Sequence, residues 1–190
     1  MKKVNFIHMD KGTKEDYKIL DYYEKEYAKK LPTRILESLK LLKDGLSGYK
    51  VDRLEHSLQA ATRALYDKAD IELVLAALIH DVGDTVSPYN HSQVSASIIR
   101  PYVREEVTWI VEMHGIFQMY YYADKLGLDK NLRDKYNGHK WFKSCEKFCH
   151  EWDQMSFDPE YVSKDLEYFT PLVDEIFNRD PFDPKFIHAG

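Results

Sequence analysis

Apolar side chains in this chain recur at three- and four-residue intervals, the period that puts them on one side of a helix. After Asp52, a plausible N-cap, Leu54, Leu58, Ala61 and Leu65 follow the pattern i, i+4, i+7, i+11 and predict an amphipathic helix. The stretch "IELVLAALIHDVG", residues 71–83, is apolar on nearly every side and too long for an average strand. It predicts a buried central helix ending at Gly83. Upstream, Lys14–Lys30 reads as a charged, Tyr-rich helix, and "LPTRILESLKLLKDGL" as a second that starts near Pro32 and stops at Gly45. Downstream, "SPYN" predicts a turn before a helix stopped near Pro101, followed by helices over Glu105–Tyr122, 139–155 and 163–179. Alternating β-branched segments are absent, which predicts an all-α fold. No repeat or long linker divides the chain, so residues 1–190 read as a single domain. Helices over 14–44 and 163–179 are expected to pack on a core of about residues 45–155.

Composition narrows the function without naming it. With 190 residues, 44% of them apolar, the chain can bury a substantial core without disulfides. A net charge of −5 and scattered Lys and Arg residues argue against nucleic acid as a partner. Neither a signal-type apolar region nor a membrane-length apolar run occurs, so a cytoplasmic protein without membrane attachment is expected. Cys145 and Cys149 lie four apart and read as small buried hydrophobes.

The informative residues are polar ones at core positions. His114 falls in the stripe formed by Val107, Ile110, Val111, Gln118 and Tyr121. Asp153 follows Cys149 by four and Cys145 by eight, which turns a carboxylate inward. An ionised aspartate costs several kcal/mol to bury unless a cation or a full set of donors compensates it. His56 lies beside the Leu54/Leu58 stripe, His80 and Asp81 end the most apolar helix, and His91 opens the next one. Each residue alone has a bland explanation as a satisfied core histidine, a cap or a turn residue. Together they fit ligands converging on a metal, which supplies the compensating charge.

His56, the pair His80-Asp81 and the distant Asp153 resemble the H…HD…D signature of the HD-domain superfamily, an all-helical fold of metal-dependent enzymes. His91 and His114 resemble the additional ligands of its dinuclear members. The resemblance implies a single HD-domain helical bundle with a buried dinuclear site. In it His56, His80 and Asp153 hold one metal, His91 and His114 the other, and Asp81 bridges them. Over roughly residues 45–155, with "LEHSLQAATRA" and "ALIHDVGD", the chain is most similar to the mixed-valent diiron oxygenases. These are the hydroxyphosphonate-cleaving dioxygenases and, more distantly, myo-inositol oxygenase. Two iron ions (Fe2+/Fe3+), dioxygen and a small polar hydroxylated substrate are thereby implied, with oxidative cleavage of a C–P or C–C bond. The alternative within the superfamily is a phosphohydrolase using Mn, Ni or Mg on a phosphate ester or nucleotide. A purely structural metal site is disfavoured, since such sites are usually closed. A monomer or homodimer is expected.

Three positions depart from the phosphonate enzymes: Asp84 stands where they have histidine, Gln118 where they have a substrate-binding lysine, and His150 where they have arginine. By position, Asp84, Gln118 and His150 are the candidate catalytic residues. Arg63, Arg100, Arg104, Arg133 or Lys135 is a candidate replacement for the missing cations, and Tyr49 for a tyrosine that precedes the first histidine. Gln59, Glu55, Asn90 and Gln93 are candidates to orient ligands, and Tyr120–Tyr122 to line a pocket or pack in the core.

Overall fold

Capping side chains start several of the helices, as local chemistry requires. In the computed structural model, which describes residues 2–188, Thr13 and Asp16 close a reciprocal capping box at the start of α1 (Lys14–Ala28). Residues 1, 189 and 190 of the single-domain reading lie outside the described residues. Helix α2 (Leu31–Leu41) carries Pro32 in its first turn, where a missing N–H costs nothing, and tightens into a 3-10 turn ending at Asp44. Asp52 accepts the Glu55 amide at 2.8 Å and opens α3 (Arg53–Tyr66). Asp70 does the same for α4 (Ile71–Ile79) through the Glu72 and Leu73 amides. Helices α5 (His91–Ile99), α6 (Glu105–Gln118), α7 (Phe142–Lys147), α8 (Leu166–Phe177) and the short α9 (Pro184–Ile187) complete the fold. There is no strand among the described residues. No helix among them is long and apolar enough to cross a membrane.

Helix α4 is the axis of the core: Leu75, Ala76, Ala77, Leu78 and Ile79 are fully buried. It packs against α3, α6 and α8. Ala60, Ala61 and Ala64 on α3 and Ala76 and Ala77 on α4 have no exposed surface, and such small side chains let two helices approach closely. Each fully buried leucine or isoleucine contributes about 1.5–3 kcal/mol of transfer free energy, so the end of α4 is rigidly held. Cys145 and Cys149 are buried free thiols in the same core.

The helix boundaries differ from the sequence expectation where the polar cluster sits. The central helix ends at Ile79 with His80 as its C-cap, and Val82–Thr85 forms a separate 3-10 turn, so Gly83 is not the stop. Helix α6 ends at Gln118, and Met119–Tyr121 is a 3-10 turn. The helix expected over 139–155 divides: after α7, Phe148–Asp153 is π-helical, and the Gln154 amide reaches back to the Cys149 carbonyl at 3.0 Å. Single π turns in an α-helix occur frequently at functional sites.

Candidate metal centre

Backbone carbonyls orient the histidines. The Nδ1 atoms of His56, His80, His91 and His114 lie 2.9, 2.9, 3.0 and 2.6 Å from the carbonyl oxygens of Ser156, Ala77, Pro88 and Val111. A carbonyl only accepts, so each Nδ1 carries the hydrogen and each neutral ring turns its Nε2 lone pair toward the others. In three of the four the partner is the carbonyl three residues earlier, a contact set by the local turn.

The Nε2 atoms then fall into two groups around one carboxylate. Those of His56 and His80 are 3.0 Å apart, with Asp81 Oδ2 at 3.5 and 3.4 Å and Asp153 Oδ1 at 3.3 and 3.7 Å. The other oxygen of the same carboxylate, Asp81 Oδ1, is 3.4 Å from both His91 Nε2 and His114 Nε2, which lie 3.3 Å apart. His56, His80, Asp81, His114 and Asp153 are buried, and His91 is partly exposed toward a cavity.

This donor set demands positive charge at its centre. The imidazole Nε2 atoms and carboxylate oxygens converge as acceptors, and Asp153 Oδ2 is buried with no hydrogen-bond partner among the described residues. Burial opposes protonation of His56 and His114, yet the hydrogen bonds and charges of Asp153 and Asp81 outweigh it and raise both pKa values. Burial pushes His80 down to about 4. Asp81 is held well below the usual carboxylate range against its own burial, chiefly by His80, with His114, Arg53 and His56 contributing. A metal cation answers the same demand that otherwise draws protons onto the imidazoles. The triads His56/His80/Asp81, His80/His114/Asp153 and Asp81/His91/His114 each have ligand atoms within 4.8 Å of one another, suiting a cation bound by nitrogen and oxygen.

The HD domain family model matches residues 53–153, more than half of the chain, from the first residue of α3 to the last carboxylate of the cluster. The chain belongs to the HD-domain family. HD domains bind divalent metals and their members are typically metal-dependent enzymes, phosphohydrolases among them. No curated protein matches the chain.

Around these side chains, the HD domain carries a supporting layer. A Cβ on Gly83 would lie 2.3 Å from the His91 carbonyl oxygen and 2.9 Å from its Cα, so this glycine lets the turn after Asp81 press against the start of α5. Gly115 gives Ser92 the corresponding room beside His114. Gln118 Nε2 donates to Asp153 Oδ1 at 3.0 Å, while its Oε1 is buried and unpartnered at the cavity wall. Gln59 is fully buried and donates to the Asp158 carbonyl at 2.7 Å, clamping the loop that brings the Ser156 carbonyl to His56. Glu55 accepts from Gln59 and Ser163, whereas Asn90 pairs with Ser87 and Gln93 lies beside Asn90 at a surface groove.

A cavity of about 270 Å³ opens onto Asp81, His91, His114 and Asp153. Tyr49, Tyr121, Tyr122 and Phe157 supply its aromatic walls. Phe157 stacks on His56 at 4.3 Å and Tyr49 stacks on Phe157 at 4.8 Å. Its cation is Arg53, whose Nη1 donates to Asp81 Oδ2 at 2.9 Å and whose Nη2 lies 3.3 Å from Asp84 Oδ2. Asp84 Oδ1 is 3.2 Å from His91 Nδ1. Burial and then the charge of Asp81 raise the Asp84 pKa, with Arg53 and His91 opposing them.

His150 does not reach the metal cavity. It is exposed, and its Nδ1 lies 3.3 Å from the Tyr121 hydroxyl in a neighbouring cavity. An α-helical turn would set it near the face of Asp153; the wider π turn carries it further round. The expected replacement cations are elsewhere too. Arg63 lies over Tyr161, Arg100 pairs with Glu112, Arg104 with Asp70, Glu72 and Glu106, and Lys135 lies over Tyr136. Arg133 lines the neighbouring cavity. Sequence reasoning missed Arg53 and Phe157. For Arg53 a signal existed, because a residue three before His56 on one helix shares its face.

Proposed function

We propose that this HD domain is a dinuclear metal-dependent oxygenase that cleaves a C–P or C–C bond in a small hydroxylated substrate carrying an anionic group. The observation that carries the reading is the division of Asp81 between two histidine pairs, Oδ2 toward His56 and His80 and Oδ1 toward His91 and His114. His56, His80 and Asp153 would hold one iron, His91 and His114 the other, with Asp81 shared. An iron pair so held would supply Lewis acidity toward a substrate hydroxyl and a one-electron path to dioxygen, the net electrons for its reduction being drawn from the substrate as its bond is cleaved.

The chain's own part is positioning and exclusion. Arg53 presents its positive charge at the cavity wall, suited to a phosphonate or carboxylate, while its two Nη atoms stay with Asp81 and Asp84. It takes the place of the lysine and arginine that Gln118 and His150 replace. Gln118 holds Asp153 in orientation through its amide nitrogen. Tyr49, Tyr122 and Phe157 limit water beside the reacting carbon. A cavity of about 270 Å³ favours a compact substrate over a nucleotide.

The test is oxygen consumption by iron-reconstituted protein offered hydroxyphosphonates and polyols, with electron paramagnetic resonance of the partially reduced sample. A spin-coupled mixed-valent signal that shifts with one compound, and turnover that stops anaerobically, are expected. Phosphate release from phosphate esters without oxygen, by Mn-, Ni- or Mg-loaded protein, would replace this reading with a phosphohydrolase.

A further inference from the structure

Tyr121 has a cavity on each side. One is the metal cavity; the other, of about 520 Å³, contains none of the metal-facing side chains and gathers Arg133, Lys143, Lys147 and His150 around the tyrosine. Arg133 stands out within it. Its residue is only 7% exposed, yet Nε and Nη1 are buried with no hydrogen-bond partner among the described residues. The guanidinium lies flat on Tyr120, 3.6 Å from the ring centroid, and its one ion pair runs from Nη2 to Glu146 at 3.3 Å. Glu146 is shared, since it also pairs with Lys143 at 2.7 Å. Lys147 has no carboxylate partner among the described residues, and the cavity's other acid, Glu151, pairs with no cation among them. Two carboxylates thus face three cations and a histidine, and of the cations only Arg133 is buried.

A guanidinium taken largely out of water and paired with one shared carboxylate is incompletely compensated, and an anion beside it offsets that cost through its charge. We propose that this second cavity is a binding site for a small phosphate-bearing ligand, held by Arg133 with Lys143, Lys147 and His150. Phosphate fits better than carboxylate because it carries more negative charge and its three oxygens point in different directions, matching cations arriving from different sides. The volume exceeds that of a bare phosphate, so the ligand carries a further moiety, with Tyr120 and Tyr121 as its aromatic walls. This site stands independently of the reaction at the metals.

Inorganic phosphate titrated calorimetrically into the metal-loaded protein at fixed ionic strength tests the site. Lys143→Ser/Lys147→Ser alters two exposed lysines and leaves the core intact. It should weaken phosphate binding about tenfold, the loss expected for charge-assisted hydrogen bonds, with metal content unchanged. Arg133→Met should remove the binding; where that variant does not fold, the double variant decides alone. No phosphate binding to the wild type would overturn the proposal. So would equal binding by the wild type and the double variant, because that phosphate would sit on the metals instead.

Discussion

Arg53 and Asp81 lie 28 residues apart in sequence, and the Arg53 Nη1 donates to Asp81 Oδ2 at 2.9 Å. The same oxygen faces His56 and His80, so one guanidinium both balances the shared carboxylate and borders the cavity. Removing it strands Asp81 and Asp84 without their cation. Arg53→Met is expected to lower stability by about 2–4 kcal/mol, the cost of breaking a mostly buried charge pair. Arg53→Lys should recover part of it, keeping the charge but not the fork. Urea unfolding of metal-free protein measures both, since bound cations would themselves balance Asp81; a wild-type midpoint for Arg53→Met would show that the pair carries no weight.

Because Asp81 serves both groups and His91 only one, the two substitutions should differ in metal content. Asp81→Ala should abolish metal loading, whereas His80→Ala and His91→Ala should each lose one ion of two. Elemental analysis after gel filtration reads the stoichiometry. Retention of the full complement by both His80→Ala and Asp81→Ala would sink the ligand assignment.

Gly83 faces backbone that cannot yield easily. Gly83→Ala sets a methyl against the His91 carbonyl, and forcing the two segments apart should cost about 3 kcal/mol. The displacement also moves His91 from Asp81, so metal content should fall toward that of His91→Ala. Wild-type loading and stability together would refute the close-approach argument.

Asp70 ties the start of α4 to Arg104 by hydrogen bonds of 2.9 and 2.8 Å. Burial would raise its pKa, but Arg104 and the backbone amides of Leu73 and Glu72 hold it below 3.8. Its stabilisation is therefore present above the unfolded value and lost as pH falls through the lower, folded one. The carboxylate is about half exposed, so the contribution is on the order of 1 kcal/mol at most after solvent screening. Urea midpoints of wild type and Asp70→Asn should differ near neutrality and converge in acid; a constant offset down to pH 2 would contradict the linkage.

Much of this was readable before folding. Asp52 and Asp70 sit where caps belong, and the Leu58/Ala61 stripe is buried as its period requires. The carbonyls that fix His80, His91 and His114 are three residues away, so the inward set of these polar side chains is a property of local turns. His150, a candidate by its position in the family pattern, shows the complementary case: a place in sequence three before Asp153 does not carry a side chain to the same cavity across a stretch that unwinds into a π turn.

By itself, then, the sequence determined an all-helical chain, its capped helix starts, and which polar residues occupy apolar faces, because period and capping act over a few residues. Only the tertiary structure decided how the two oxygens of Asp81 divide, that Arg53 rather than a later cation borders the cavity, and that Phe157 covers His56. Those contacts join segments as far as 100 residues apart, as between His56 and Ser156. Their geometry depends on how closely helices pack, which alanines, two glycines and one π turn set together and no single segment encodes.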